Sequence, residues 1–203
     1  MTKIGSRDGH YTVKKLTVDD KVPVSYTIAH CAETSTTAIL AGWDVSAGTA
    51  AKTNIDFSAQ PPYPMVLSVN AVAAGTADDS DTLLFKGYDA TGKYIEENVV
   101  VSSTAGTSTA AHTYTNNAFS YLISVEPDDA LHKSTDVNIG WRAYDFGLPY
   151  PIATSDDVIA YTTGSTHATT APYTVNVAYN RISDSNLGAG SSVRVLYLSR
   201  FQE

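Results

Sequence analysis

A single cysteine, Cys31, stands among 203 residues, so no disulfide can form within the chain and no zinc site can be built from thiolates. Charge is also scarce: Asp, Glu, Lys and Arg together make up 17%, too little for the charged faces of a long-helix protein. No apolar run reaches the length of a membrane helix, and Met1 is not followed by a secretory leader pattern. The expectation is a soluble chain, made in a cytosol, with no membrane partner. Basic residues are the minority, 13 against 21 acidic ones, for a formal net charge of -8. A nucleic-acid partner is therefore not expected either.

What is abundant points to strands. Hydrophobic residues make up 43% and are rich in Val, Ala and Tyr, while Thr and Ser dominate the polar set. β-Branched and aromatic side chains fit a pleated, half-buried surface. Thirteen Tyr against five Phe adds a second hint, because a tyrosine ring with a polar tip serves interfaces as well as cores. Charge is also unevenly placed. Residues 1–21 carry five basic groups against three acidic ones, whereas residues 22–180 carry five against sixteen. A mildly basic leading segment on an acidic body is suited to docking on a neighbouring subunit.

Periodicity divides the chain into short strands. Residues 11–18 and 22–29 read as two strands of an N-terminal arm, separated by an Asp19-Asp20-Lys21 turn. Residues 37–45 (TAILAGWDV) are ambiguous between a strand and a helical turn, and residues 53–57 read as a short edge strand. After Pro61-Pro62-Tyr63-Pro64, residues 65–72 alternate in the period-2 pattern of a half-buried strand, with Ser68 and Asn70 on the polar side. Residues 82–88 and 94–101 flank Asp89-Ala90-Thr91-Gly92 and read as an antiparallel hairpin with Gly92 at positive φ. Residues 119–125 form a strand ended by Glu126-Pro127. Residues 136–142 form another, with Val137, Ile139 and Trp141 on one face. Residues 145–152 are extended but broken by two prolines, which confines them to an edge or a crossing between sheets. Residues 158–162, 173–180 and 192–201 complete the set. The last is apolar on both faces, so a neighbouring chain is expected to cover one side. The whole reads as an all-β chain: a jelly-roll-like antiparallel β-sandwich, with residues 1–30 as an extended arm and residues 31–203 as one domain.

The search for chemistry returns no catalytic, cofactor-binding or metal-binding residues. The five histidines (His10, His30, His112, His132, His167) are far apart, and no HxH or HExxH pattern occurs. His30 and Cys31 are neighbours, but adjacent strand residues point to opposite faces, so a nucleophile–base pair is not formed. The same geometry separates the carboxylate pairs Asp19-Asp20, Glu96-Glu97, Asp128-Asp129 and Asp156-Asp157, and a glycosidase needs two that face one cleft. The acidic loop Asp78-Asp79-Ser80-Asp81 has the hard oxygen ligands calcium takes, without an EF-hand's spacing or closing Glu; solvated loop charge is the simpler reading. Trp43 and Trp141 sit in apolar stretches and read as core residues.

Four segments carry a family likeness: PPYPMVLSVNAV, GTADDSDTLLFKGYDATGKYIEENV, NNAFSYLISVEP and DVNIGWRAYDFGLPY. In their proline-led strand, their G-x-D-A-x-G-x-x-x-E-E hairpin and their V-x-I-G-W strand leading into F-G-L-P-Y, residues 61–150 resemble virion structural proteins of tailed bacteriophages. The resemblance implies a β-sandwich that decorates the outer surface of a capsid as a cement protein. It implies a homotrimer or homodimer, a major capsid protein as partner, and a terminal arm that clamps neighbouring subunits. A tail, neck or head-spike component, or a carbohydrate- or receptor-binding sandwich, are the alternative readings.

Overall fold

The structure is a computed structural model that describes residues 21–45, 51–73, 81–101, 104–105, 112–127, 135–164 and 173–200. The expected strand of residues 11–18 lies outside them. The described chain is an all-β sandwich of antiparallel strands, and one two-residue ladder is parallel.

Two long strands organise it. The strands are β1 (Lys21–Ile28), β2 (Ser35–Val45), β3 (Lys52–Thr53), β4 (Met65–Ala73), β5 (Asp81–Asp89), β6 (Tyr94–Val101) and β7 (Thr104–Ala105). They continue as β8 (Thr113–Pro127), β9 (Thr135–Gly147), β10 (Val158–Thr163), β11 (Thr174–Asn176), β12 (Arg181–Ser183) and β13 (Val193–Arg200). Strand β9 pairs with β4 along one edge, and along the other with β2 and then β12. Strand β8 serves both layers. Its first half pairs with β4 and its second with β5, and Phe119 is the residue common to both registers. Bulges at Val66/Ser68, Lys86/Gly87 and Tyr88/Asp89 accompany that change of partner, as expected where a strand turns a corner.

Two apolar cores result. The first lies between β2, β4 and β9 on one side and β5, β6 and the second half of β8 on the other. Ile39, Leu67, Phe85, Phe119, Leu122 and Ile139 are among its fully buried members, and Trp43 and Trp141 belong to it as expected. The second lies under a three-stranded sheet of order β1-β13-β10, where Phe146, Leu148, Ile182, Val195 and Tyr197 are buried. Tyr63 packs against both cores. Its hydroxyl donates to the Ala143 carbonyl at 2.8 Å and accepts from the Ala32 N–H at 3.2 Å. The proline-flanked Tyr63 therefore ties the two cores together.

Several expectations need correction. Residues 37–45 are strand throughout. The expected strand 53–57 shrinks to β3, because Asp56 caps the Thr53 N–H and turns the chain. Residues 145–147 are the central end of β9, so only the part that follows them is extended outside the sheet. Residues 173–180 are not one strand: β11 stops at Asn176, whose side chain accepts the Tyr179 N–H, and Asn180 takes φ 49 before β12 begins. Asn tolerates that left-handed conformation, and the result is a hairpin. Finally, β4 is buried on both faces. Met65, Leu67 and Val69 enter the first core as expected, but Val66 (0% exposed), Ser68 (2%) and Asn70 (8%) are covered too. Over this second face the Arg142 guanidinium lies 4.2 Å from the Tyr114 ring centre and 4.5 Å from that of Tyr144. Arg142 Nε is also 2.9 Å from Asp145 Oδ2, an ion pair whose N–H is not aligned as a hydrogen bond.

The stretch 21–28, read from sequence as part of the arm, pairs residue by residue with β13, from Lys21 opposite Arg200 to Ile28 opposite Val193. In β13, Val193, Val195 and Tyr197 face the second core, while Leu196 and Leu198 are half-buried on the other face.

Candidate functional site

The hairpin read from sequence is present as β5–β6, and the outer face it presents is the most distinctive surface of the described residues. Gly92 takes φ +81 at the turn, and Asp89 Oδ1 accepts the N–H groups of Thr91 and Lys93 and the Thr91 hydroxyl. That cap fixes the register in which Tyr88 stands opposite Tyr94. On its other edge β5 places Tyr88 opposite Tyr121 of β8. Three tyrosines from three adjacent strands thus form one row across the sheet.

The row depends on a close approach beneath it. A β-carbon on Gly87 would fall 2.2 Å from the Tyr121 carbonyl oxygen and 2.9 Å from the Phe119 ring. Glycine at 87 is what allows β8 to bulge against β5 and bring Tyr121 alongside Tyr88. The Ser120 hydroxyl lies 3.1 Å from the Tyr88 carbonyl and 2.7 Å from that of Asp89, and donates to this pair of acceptors where the ladder is interrupted. On the far edge of β8 the Gln60 amide acts as a substitute strand, donating to the Leu122 carbonyl and accepting the Leu122 N–H.

The rings are held from both ends and remain open to solvent. Tyr94 is 46% exposed, Tyr88 40% and Tyr121 38%. The Tyr94 hydroxyl donates to Glu96 at 2.7 Å, and this bond chiefly raises its pKa. The Tyr121 hydroxyl accepts from Asn54 Nδ2 at 2.9 Å. Tyr88 and Tyr94 meet edge to face at 6.1 Å. Beside Asn54, Ile55 is 87% exposed at the tip of the β3 turn. The next row of the same face is charged: Lys86 binds Glu126 at 2.6 Å, and that hydrogen bond holds the Glu126 carboxyl below its ordinary range.

The residues weighed for chemistry are dispersed. Cys31 is buried, and burial pushes its thiol up, whereas neighbouring His30 is exposed. Glu96 lies on the tyrosine face, while Glu97 points inward to the N–H groups of Asn116 and Asn117. Asp156 is exposed and Asp157 buried against Lys21. His112 stands by Ser68 Oγ at 3.3 Å and by the Tyr114 ring. His10, His132, His167, Asp19-Asp20 and Asp128-Asp129 lie outside the described residues, as do residues 78–80 of the acidic loop. Among the described residues no group of three or more His, Cys, Asp or Glu side chains is placed to hold a metal ion, and no helix is long and apolar enough to cross a membrane. No family model, no curated protein and no solved structure matches the chain.

The tyrosine row escaped the sequence reading. It is assembled from β5, β6 and β8, and nothing local in the sequence reports the register between β5 and β8. The available signal was Gly87 itself, a glycine inside a strand pattern, which marks a bulge or a close backbone approach.

Proposed function

We propose that the chain is a structural protein of a tailed-phage virion: a head decoration protein that binds the outer capsid surface and stabilises it across subunit boundaries. The observation that carries this reading is the uninterrupted pairing of β1 with β13. It makes Lys21 the start of a strand held by the sandwich itself, so residues 1–20, with four basic groups against three acidic ones, are tethered at a fixed point on an acidic body. A tether of that kind suits a clamp. Weak contacts repeated over a symmetric shell sum through avidity, with no need for a shifted pKa or a cofactor. The resemblance of residues 61–150 to virion proteins supports the same reading. A major capsid protein is the partner, and self-association as a trimer or dimer belongs to the proposal. The chain's place is then the capsid surface, after synthesis in the host cytoplasm.

Two measurements test it. Quantitative mass spectrometry of purified particles is expected to find the chain at a copy number close to that of the major capsid protein. A few copies per particle would move it to a tail, neck or spike, and absence from particles would remove the virion reading altogether. A protein lacking residues 1–20 is expected to stay folded and to lose binding to purified shells; undiminished binding overturns the clamp.

A further inference from the structure

We propose that the row Tyr94–Tyr88–Tyr121 on the outer face of β6, β5 and β8 is a binding site for an oligosaccharide chain laid across the strands. This site is independent of the β1–β13 tether and goes beyond the structural role.

The argument starts from what the face offers. Three rings in cross-strand register form one partly exposed strip, in which Tyr88 and Tyr94 meet edge to face with ring centres 6.1 Å apart. Such a strip is exposed at a cost unless something covers it. The C–H face of a pyranose matches the electron-rich face of an aromatic ring. Both ends of the strip are polar: Glu96 at the Tyr94 end, and Asn54 at the Tyr121 end. Both side chains are already oriented by the tyrosine hydroxyls, so little ordering entropy remains to be lost on binding. Lys86, bound to Glu126, stands two residues along β5 from Tyr88 and flanks the middle of the row.

These polar groups decide between occupants. A closely packed apolar protein surface would strip water from Glu96, Asn54 and the Lys86–Glu126 pair and return no hydrogen bonds, at a cost of a few kcal/mol per unsatisfied group. A saccharide has hydroxyls that donate and accept all along its edge while its faces stay apolar, so it satisfies rings and rim together. The charge of the face points the same way. Glu96 and Glu126 stand beside the single Lys86, and this net negative charge suits a neutral glycan better than a polyanionic one.

Architecture supports a built site. Gly87 stands where a side chain would press on the Tyr121 carbonyl and the Phe119 ring, and the Asp89 cap fixes the hairpin end that carries Tyr88 and Tyr94.

The test uses the full chain and a probe panel of hexasaccharides: β-1,4-linked glucose, α-1,4-linked glucose, β-1,4-linked N-acetylglucosamine and β-1,3-linked glucose. Binding is read by isothermal titration and by saturation-transfer NMR on the sugar C–H protons. At least one probe is expected to bind, with saturation concentrated on one ring face. Tyr88→Ala, a change at a solvent-facing position, is expected to weaken that probe about tenfold or more, a loss typical of a central aromatic contact. Tyr150→Ala, on an exposed tyrosine outside the row, serves as control and is expected to leave binding unchanged. Circular dichroism of each variant establishes that the sandwich is intact, and Tyr88→Phe, expected to retain binding, replaces Tyr88→Ala should the latter unfold, alongside Glu96→Gln, expected to weaken it. Failure of the wild-type chain to bind any probe at millimolar concentration overturns the proposal, as does binding that survives both Tyr88→Ala and Glu96→Gln. Loss of shell binding in Tyr88→Ala, with no saccharide bound by the wild type, overturns it in favour of a protein contact.

Discussion

Glu97 grips Asn117 twice: its Oε2 accepts the Asn117 backbone N–H at 2.9 Å and the Asn117 side-chain amide at 2.8 Å, while Oε1 accepts the N–H of Asn116. Strand β6 ends the sheet beyond β5, and the first half of β8 lies in the opposite layer. The inward carboxylate therefore spans the sandwich at one edge and takes up two backbone donors that no strand pairs. Glu97→Ala is expected to lower stability by about 2 kcal/mol, since hydrogen bonds to a charged acceptor at a partly buried edge are lost. Glu97→Gln, which keeps one acceptor oxygen, is expected to cost roughly half of that. Urea unfolding of the three proteins measures both, and equal stability for all three would remove the strap from the account of the fold.

Gly87→Ala sets a β-carbon against the Tyr121 carbonyl and the Phe119 ring. The backbone of β8 has to move, because the nearest atom is not the end of a flexible side chain. A loss of about 2–3 kcal/mol is expected, in the range of overpacked cores. Amide shifts of Phe119–Leu122 in NMR spectra would report the displaced bulge, and a variant with native stability and unshifted amides would refute the close approach.

Acid should loosen the junction of β1 with the turn Ser155–Asp157. Burial pushes the Asp157 carboxyl up, but the hydrogen bond from Lys21 and the Thr154 N–H outweigh it and hold the group below its ordinary value of 3.8. A carboxyl depressed in the folded state gives stability that is complete above its unfolded pKa and is lost as pH falls through the folded one. The urea midpoint is expected to decline below about pH 4. Asp157→Asn should flatten part of that decline and leave the remainder, because Glu126 and Asp56 are also held low. An unchanged acid profile in Asp157→Asn would show that Lys21 contributes nothing through this carboxylate.

Alkali acts on the second core. Burial pushes Tyr26 and Tyr197 up to about 12 and raises Tyr63 and Tyr161 as well. For acids raised in the folded state, the stability is complete below the unfolded value of 10.0 and drains away as pH climbs toward the folded one. Ultraviolet titration is expected to show two classes: exposed tyrosines that ionise reversibly, and a later group whose ionisation coincides with loss of near-ultraviolet circular dichroism. A single smooth titration centred on 10.0 would contradict the burial of these four rings.

Sequence reading did best where the signal was local. The β5–β6 hairpin follows from two alternating runs around a turn whose Asp89 and Gly92 have separate jobs, one capping N–H groups and the other supplying positive φ. The inward set Val137, Ile139 and Trp141 followed from alternation alone. Legibility failed where burial comes from elsewhere. Ser68 and Asn70 look like a solvent face, and nothing in their own strand announces that Arg142 and Tyr114 lie over its far side. It failed again at residues 173–180, where clean alternation of Val175, Val177 and Tyr179 hid a turn that two asparagines make. The candidate face was half legible: the hairpin was read, but Tyr121 joins it only through a long-range register. The search for catalytic residues turned on spacing, a signal that says nothing about a surface made of rings.

The pairing of Lys21 with Arg200 also has a consequence in time. Strand β13 lies between β1 and β10, so neither of those two strands has this partner until β13, made after both, is available. On the ribosome the first core, built from residues up to Gly147, can collapse while Ile28 and Cys31 still wait for Val193, Val195 and Tyr197. Closing so long a loop is slow compared with forming a hairpin. The sheet of β1, β13 and β10 is therefore the late event in folding, and until it closes, β1 is an unpaired strand that a neighbouring copy can capture.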